Sequence, residues 1–326
     1  MADVLNVAGL RVAIMTDAVG WHTRELQRAL RERGGCGRCV DLADCRIDTT
    51  HAWHGLVLPG FGAALPDAVL VRGIAGGSFE QVTKRLGVLH ALAALGVPVY
   101  NEARAIERSV DKSMTSLLLH AAGIPTPPTW AMESLAAAQR LVTRESAAGR
   151  ALVLKPLFGS QGKGLLKLGC VDGTHVPLPV QPALGGADAA LYGGLAYLQR
   201  YVEPLARPGH DWRVLVAGGR AVAAMRRVST HWVHNVARGA RCEPQALDAG
   251  VGPALARLAV AAAAALEMDY AGVDLMPARD GPLVLEVNGV AAWQGLQRVA
   301  RPDIARTLVA DLLDRKCPAL AGRRRA

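Results

Sequence analysis

Two apolar segments near the C-terminus each carry an acidic residue where a buried strand calls for a hydrophobic side chain. Leu283–Asn288 alternates with period two, which places Glu286 and Asn288 on one face. Asp274 interrupts the apolar segment 270–276 in the same way. A buried, unpaired carboxylate is costly, and two carboxylates with an amide oxygen are typical ligands of a hard cation. The sequence therefore predicts a metal site, and the alternative is a pair of edge strands with solvated acids.

The order of apolar patterns predicts the domain organisation. Strand-like and helix-like segments alternate up to residue 103, which indicates a parallel α/β domain over 1–103. A proline-containing connector and a glycine loop indicate a smaller α+β subdomain over 104–196. A hairpin, an alanine-rich helix and the two acid-bearing strands indicate a C-terminal α+β domain over 197–318, and a basic tail follows over 319–326.

Composition narrows the class of protein. Although 51% of the 326 residues are hydrophobic, every apolar segment of bilayer-spanning length carries charges. Asp3 and Asn6 interrupt any signal-peptide core, so a cytoplasmic protein that does not enter the membrane is expected. The net charge of +9 favours a small, negatively charged ligand. Nucleic-acid binding through the basic tail is less favoured, because only 4% of the residues are aromatic and stacking platforms are scarce.

Three of the six cysteines, Cys36, Cys39 and Cys45, lie close together in the sequence. The Cys36-x-x-Cys39 pair is compatible with zinc binding or redox chemistry. No second cysteine or histidine pair follows at zinc-like spacing. We therefore expect reduced thiols in a loop between a helix and a strand.

A glycine-rich segment, 159–164, lies between two predicted strands and can wrap backbone N–H groups around phosphate oxygens. It is not a Walker A loop, because no Ser or Thr follows its lysine and no helix opens there. A plain hairpin turn is the alternative. Lys155, which ends the preceding apolar strand, can meet phosphate as a point charge. The candidate phosphate-binding residues of the loop are Gly159, Ser160, Gly162, Lys163 and Gly164.

Asp211 and Arg213 lie on one face of a further predicted strand, and Arg227 lies near the far end of the next. An arginine can grip phosphate or carboxylate through two parallel hydrogen bonds. The alternative is a solvated hairpin.

The motifs of residues 68–305, taken in order, resemble those of ATP-grasp ligases, in the RimK-like branch similar to the glutamate ligases that modify a ribosomal protein. The matching segments are 110–115, 123–129, 154–156, 159–164, 199–203, 211–213, 227–229, Asn235, 271–274 and 285–288. The resemblance implies an ATP-grasp fold: a Rossmann-like N-terminal domain, a small α+β ATP-binding subdomain and a C-terminal α+β grasp domain.

The resemblance also assigns roles to residues. Lys112 and Lys155 would hold ATP phosphates, and Asp274, Glu286 and Asn288 would bind Mg²⁺ or Mn²⁺. The remaining nucleotide-binding set would be the glycine loop together with Arg200 and Tyr201 (the adenine-reading backbone hinge), Glu203 (the ribose), Asp211 and Asn235. Arg227, Arg213 and Lys155 would stabilise the transferring phosphoryl group.

The family's reaction joins a carboxylate to an amine through an acyl phosphate formed from ATP. The resemblance implies an amino acid substrate, L-glutamate, a small acidic acceptor and a homo-oligomer, dimeric or tetrameric. Relatives follow the Glu-Val-Asn motif with Ser and a Pro-Gly pair, whereas this chain has a different segment at 289–297. Together with the segment 72–80, it is similar to ligases of tetrahydromethanopterin-linked one-carbon metabolism. The expected acceptor is therefore a pterin-type or methanofuran-type C1 carrier.

One further residue, Trp293, and two alternative functions belong with that expectation. Trp293 offers a flat face for a ring such as a pterin, or it packs in the core. One alternative is a ligase that modifies a protein tail, of a ribosomal or a carrier protein. The other is a non-catalytic ATP-binding regulatory module.

Overall fold

The computed structural model describes residues 9–159, 162–179 and 194–317. The predicted basic tail and residues 180–193 of the predicted central subdomain lie outside the described residues. No helix in the described part of the chain is long and apolar enough to cross a bilayer.

The N-terminal domain is built on a parallel sheet. Its elements are β1 (Arg11–Met15), α1 (Trp21–Glu32), β2 (Cys36–Val40), β3 (Arg46–Ile47), β4 (Leu56–Val57), β5 (Ala68–Val71), α2 (Phe79–Ala94), β6 (Val99–Tyr100) and α3 (Ala103–Val110). The strand order is β2-β1-β5-β6, with all pairs parallel, and β3 and β4 form a separate antiparallel ribbon. β5 is buried along its whole length, as expected for a parallel strand covered on both faces.

The central domain holds an antiparallel sheet with one helix on it. Its elements are α4 (Lys112–Ala121), β7 (Thr129–Met132), α5 (Leu135–Ala147), β8 (Ala151–Lys155), β9 (Leu166–Val171), β10 (Thr174–Val176) and β11 (Ala196–Arg200). The strand order is β10-β9-β8-β11-β7. Ser134 is the N-cap of α5, and its side chain accepts a hydrogen bond from the Ala137 N–H.

The C-terminal domain holds a second antiparallel sheet, in the order β14-β13-β12-β15-β16. Its elements are β12 (Gly209–Ala217), β13 (Arg220–Ser229), a 3₁₀ turn (Val236–Arg238), β14 (Arg241–Gln245), α6 (Gly252–Ala265), β15 (Tyr270–Met276), β16 (Leu283–Asn288), α7 (Gln294–Gln297), α8 (Ile304–Asp311) and a π-helical turn (Leu312–Lys316). The predicted hairpin is confirmed: Gly218 and Gly219 both have positive φ and connect β12 to β13 in a two-residue turn.

The two faces of this C-terminal sheet have different neighbours. One face presents Val214, Val216 and Val273, which pack in a core with the alanine-rich α6. The other face has two zones, because β12 alternates Asp211, Arg213, Leu215 and Ala217 along it. Leu215 and Ala217 form the apolar zone, which packs in a core with β1, α1 and α8. Asp211 and Arg213 form the charged zone, which belongs to the candidate site described below.

The structure adds one helix and corrects one sequence expectation. α3 was not predicted; it packs between α2 and α4 and carries the chain from the parallel sheet to the central domain. Cys36 and Cys39 lie in β2, not in a loop, and their spacing of three places them on opposite faces of that strand. Neither thiol is in a disulfide within the described residues. Side chains on opposite faces of a strand do not bind the same zinc ion, so a site shared by the two is not supported.

Candidate active site

Four neighbouring strands of the C-terminal sheet bring five charged side chains into one row. Arg227 on β13 lies opposite Asp211 on β12, and Arg213 on β12 lies opposite Asp274 on β15. Asp274 in turn lies opposite Glu286 on β16. Opposite residues of an antiparallel pair point to the same face of the sheet. The sequence predicted each of these residues separately, and strand register brings them together.

The acids and the arginines of this row form a buried network. Arg213 donates to both Asp274 oxygens at 2.7 Å, from Nε and from Nη2. Arg227 donates to Asp211 Oδ1 at 2.7 Å and Oδ2 at 2.6 Å, and its Nη2 lies 3.2 Å from Asp274 Oδ2. Burial alone would raise the pKa of Asp274, but the two guanidinium groups hold it below its usual value. The carboxylate is therefore ionised and already paired.

The predicted metal ligands lie at one end of this row. Asn288 donates from Nδ2 to the Gly272 carbonyl at 3.2 Å, a bond that leaves its Oδ1 available as a ligand. Within the described residues, no three His, Cys, Asp or Glu side chains are grouped to hold a metal ion. The candidate site is thus two carboxylates and one amide, and the phosphate oxygens of a nucleotide would supply further ligands. This oxygen donor set suits Mg²⁺, although a cation at Asp274 must compete with two arginines.

Two lysines face the acids from the central domain. Lys155, the last residue of β8, donates to the Gln199 side-chain oxygen at 2.6 Å. Burial, reinforced by the Lys112 cation, lowers the pKa of Lys155 to about 8, although Glu286 opposes the shift. Lys112 begins α4 and lies 3.8 Å from Glu286 Oε1. Its ammonium also donates to the Gly159 carbonyl at 3.0 Å, so it holds the start of the glycine loop.

The glycine loop closes against the C-terminal domain. Gly162 and Gly164 have φ of 66° and 68°, which favours glycine at both positions. The Gly162 carbonyl accepts a hydrogen bond from Arg238 Nη2 at 2.8 Å. A Cβ at Gly162 would lie 2.7 Å from a Val233 methyl group, so any larger residue would open this contact. Lys163 is exposed, and Ser160 lies outside the described residues.

The backbone N–H groups of the predicted adenine hinge already donate hydrogen bonds within the protein. The Arg200 N–H donates to the Pro128 carbonyl at 2.8 Å and the Tyr201 N–H to the Ala151 carbonyl at 3.0 Å. Any backbone contact from Arg200 or Tyr201 to a base therefore uses a carbonyl oxygen. The Arg200 side chain pairs with buried Glu145 at 2.8 Å and fixes α5 to β11. Glu203 is exposed and directly follows the cleft residue Val202, and its contact with the ribose stays a prediction.

A cleft between the central and C-terminal sheets joins these parts. Its apolar walls suit a base, and its polar end contains Lys155 and the acids Asp211, Asp274 and Glu286. The lining residues are Val153, Lys155, Gly162, Leu165, Gln199, Arg200, Tyr201, Val202, Asp211, Arg227, Trp232, Val233, His234, Asn235, Asp274, Met276, Leu285 and Glu286. Asn235, a predicted nucleotide ligand, accepts a hydrogen bond from the Ala237 N–H and caps the 3₁₀ turn.

Sequence reasoning missed two polar residues of the cleft. Gln199 is 2% exposed in an otherwise apolar strand, the same signal that singled out Glu286. His234 is buried, and burial followed by the Arg227 cation lowers its pKa to about 4, so it is neutral. Nothing in the local pattern around His234 distinguishes it from an exposed loop histidine.

Comparison with protein families gives two matches that together cover most of the chain. A RimK pre-ATP-grasp domain matches residues 10–106, and a RimK-like ATP-grasp domain matches residues 109–312. The chain belongs to the RimK-like ATP-grasp family. As a member of this family of ligases, the protein is an enzyme, and the ATP-grasp resemblance drawn from its motifs is confirmed.

Individual relatives of this RimK-like chain agree with the family match. It is 30% identical over 310 residues to the tetrahydromethanopterin:alpha-L-glutamate ligase of Methanosarcina acetivorans, covering 86% of this chain and 92% of that one. It is 30% identical over 297 residues to a probable alpha-L-glutamate ligase of Cellvibrio japonicus, covering 89% and 90%. The ATP-grasp ligase PsnB, solved with a minimal precursor, Mg and ADP, superposes with a TM-score of 0.66 at 22% identity, covering 96% and 98%. That likeness supports the ATP-grasp fold.

Of the two alternatives for Trp293, the structure supports the core position. Trp293 is 1% exposed, and its ring packs edge-on against Trp21 and His22, each with a centroid separation of 4.8 Å. Its backbone N–H donates to His22 Nε2 at 3.1 Å. The side chain therefore belongs to the core between α1 and the segment after β16.

Proposed function

We propose that this ligase uses ATP and Mg²⁺ to add L-glutamate, through an amide bond, to a small acidic acceptor such as a tetrahydromethanopterin-type or methanofuran-type C1 carrier. The observation that carries the proposal is the row of Asp211, Arg213, Arg227, Asp274 and Glu286 on one sheet face, with the two lysines opposite. This arrangement concentrates the charges that phosphoryl transfer requires in one sheltered cleft.

In this proposal, Asp274, Glu286 and Asn288 hold Mg²⁺, which when bound neutralises negative charge on the ATP phosphates. Lys112 and Lys155 hold phosphate oxygens from the central domain. Lys155 is charged below a pH of about 8, and the Gln199 side chain orients its ammonium.

Arg213 and Arg227 have a second task in this proposal. Each is held by carboxylates at 2.6–2.7 Å and exchanges part of that pairing for the transferring phosphoryl group. Because a guanidinium matches phosphate and carboxylate geometry equally well, the exchange keeps its hydrogen bonds satisfied. The carboxylates thus orient the arginines before the substrate arrives, which lowers the reorganisation needed at the reaction step.

Water must be kept from the acyl phosphate formed when the acceptor carboxylate attacks the γ-phosphate, because it hydrolyses readily. The contact of Gly162 with Val233 and Arg238 is where the glycine loop closes over the cleft. The amine of L-glutamate then displaces phosphate from the acyl carbon and forms the amide bond.

The choice of acceptor is supported by the tetrahydromethanopterin:glutamate ligase similarity over most of the chain and by the net charge of +9. The segment 289–297, which differs from the Ser and Pro-Gly pattern of the ribosomal-protein ligases, is consistent with a different acceptor. The burial of Trp293 means that a pterin ring, if bound, must find another surface.

The test measures ADP release and product mass with the purified chain, Mg²⁺, ATP and L-glutamate. The candidate acceptors are a tetrahydromethanopterin precursor, a methanofuran precursor and a peptide with an acidic protein tail. We expect ADP release with a C1-carrier precursor and a product heavier by one glutamyl residue. A glutamylated peptide with unmodified precursors would instead identify a protein-modifying ligase.

A variant pair tests the assigned site in the same assay. Glu286→Ala should abolish ADP release, because it removes one of two carboxylates of the candidate metal site. Glu243→Ala is the matched control, since Glu243 pairs with Arg226 on β13 and does not line the cleft. Unchanged turnover in Glu286→Ala would disprove the metal assignment.

A further inference from the structure

Arg72, directly after β5, carries a partly buried guanidinium. Its Nε is buried and meets no hydrogen-bond acceptor in the part of the chain that the structure describes, and its Nη1 lies 3.4 Å from the Val290 carbonyl. Within the described residues, Arg72 forms no ion pair with an acid. Arg213 and Arg227, by contrast, are each paired with carboxylates. Burial lowers the pKa of Arg72, which shows that the surroundings compensate its charge poorly.

The position of Arg72 in the fold is one where ligands bind. It directly follows β5, and β5 lies beside β1 at the point where the chain turns from one side of the parallel sheet to the other. Crevices at the carboxyl ends of parallel strands, at such a reversal of strand order, are the usual ligand sites of α/β sheets. The Arg72 and Gly73 N–H groups both donate to the Met15 carbonyl, at 2.8 and 3.0 Å, so the backbone at this point is fixed.

Arg72 also borders the reaction cleft through one short segment. Val290, which its guanidinium reaches, is two residues beyond the candidate metal ligand Asn288. From the other side, Arg213 Nη1 approaches the Ala292 carbonyl at 3.5 Å. The segment 289–292 therefore separates Arg72 from the arginine–carboxylate row. A group held at Arg72 would lie next to the place where the amide bond forms.

The nearby acid does not neutralise Arg72. Asp17, in the loop after β1, lies so close to Gly73 that a Cβ there would be 2.2 Å from its Oδ1. Its charge acts on Arg72 from a distance, but no ion pair within 4 Å forms. The guanidinium keeps its capacity for a bidentate contact with an anion.

The geometry points to Arg72 as the binding residue for a substrate carboxylate that is not the one being activated. This inference rests on the proposed function. Glutamate carries two carboxylates, neither of which reacts when its amine is the nucleophile. An acceptor with more than one carboxylate keeps at least one after the amide forms. An otherwise uncompensated guanidinium beside the reaction site would hold such a group and set the orientation of its owner.

The test measures binding by isothermal titration calorimetry, with the full chain saturated with Mg²⁺ and a non-hydrolysable ATP analogue. One probe is L-glutamate. The other is N-acetyl-L-glutamate, whose blocked amine restricts it to the acceptor role. We expect Arg72→Gln to weaken one of the two at least tenfold. A loss for L-glutamate alone assigns Arg72 to the amino acid, and a loss for N-acetyl-L-glutamate alone assigns it to the acceptor.

Controls separate this role from a structural one. Arg72→Lys should recover part of the lost affinity, because it keeps the charge without the bidentate geometry. Arg11→Gln, at the opposite end of β1, should leave both affinities unchanged. Without ligand, Arg72→Gln should melt no lower than wild type, since it removes an uncompensated buried charge.

Unchanged probe affinities in Arg72→Gln, or a lower melting temperature with equal losses for both probes, would overturn the role of Arg72. Binding of the ATP analogue is measured first and should be equal in all variants. Normal analogue binding together with either of those outcomes contradicts only the inference about Arg72. A wild-type chain that does not bind the analogue contradicts the proposed function itself, and the inference with it.

Discussion

Replacing Asn101 with alanine should destabilise the chain more than any single hydrogen-bond deletion at its surface. Asn101 is fully buried at the end of β6, where the N-terminal domain meets the C-terminal sheet. Its Nδ2 donates to the Tyr270 and Gly289 carbonyls, both at 2.7 Å. Its Oδ1 accepts from the Asp269 N–H at 2.6 Å and the Tyr270 N–H at 3.0 Å. One amide thereby satisfies four backbone groups.

The expected loss in the free energy of unfolding follows from the number of hydrogen bonds removed. A hydrogen bond contributes about 1 kcal/mol net, so the four lost bonds amount to about 4 kcal/mol, and backbone groups left buried without partners add to the cost. The free energy of unfolding of a typical domain is only about 5–15 kcal/mol. In a chain of 326 residues, with an entropy of unfolding of about 0.7 kcal/mol/K, 4 kcal/mol corresponds to a fall in melting temperature of roughly 6 °C. Asn101→Asp keeps the shape but places a carboxylate oxygen against two carbonyls, so it should cost at least as much.

The assay is thermal and urea unfolding followed by far-ultraviolet circular dichroism. Ser109→Ala is the matched control, because Ser109 is also buried and its Oγ makes a hydrogen bond to the Ile106 carbonyl at 2.9 Å. The control should cost about 1 kcal/mol. If Asn101→Ala costs no more than Ser109→Ala, the view of Asn101 as a fourfold cross-link between the domains is wrong.

Two further predictions concern the central domain. Because burial lowers the pKa of Lys155 to about 8 and only the protonated amine attracts phosphate, kcat/KM for ATP should fall as pH rises through about 8. Lys155→Arg should remove that fall, and a profile unchanged by this substitution would contradict the assignment. Glu145→Gln should lower the free energy of unfolding by about 2 kcal/mol, since Glu145 is buried and pairs with the partly exposed Arg200. Glu107 is only partly buried and pairs with half-exposed His90. Glu107→Gln, measured in the same urea titration, should therefore change the free energy of unfolding by no more than about 0.5 kcal/mol, and equal effects for the two variants would contradict the structural role of Glu145.

Candidate residues of the site could be identified from the sequence because they depart from the hydrophobic pattern of the strands that contain them. Asp274 and Glu286 are acids in apolar strands, and Lys155 ends an apolar strand before a glycine loop. Such departures from strand patterning depend only on neighbouring residues, so they are visible without a structure. The ordered motifs then predicted the ATP-grasp fold, which the family matches confirm.

Trp293 and the hinge at Arg200 show what the sequence left open. An aromatic residue after a strand is equally consistent with a binding face and with a core position, and packing against Trp21 and His22 decided for the core. The hinge N–H groups are used by backbone partners at Pro128 and Ala151, which are far away in sequence. No local pattern encodes those contacts.

The amino-acid sequence by itself determined which face of each strand carries charge, since the period of two fixes that within a strand. Only the tertiary structure decided which strands are neighbours, and therefore that Arg213 pairs with Asp274, Arg227 with Asp211, and Arg72 with no acid among the described residues. The physical reason is that strand order and register are set by long-range burial summed over whole cores. A single side chain's preference for a partner is too small to fix them.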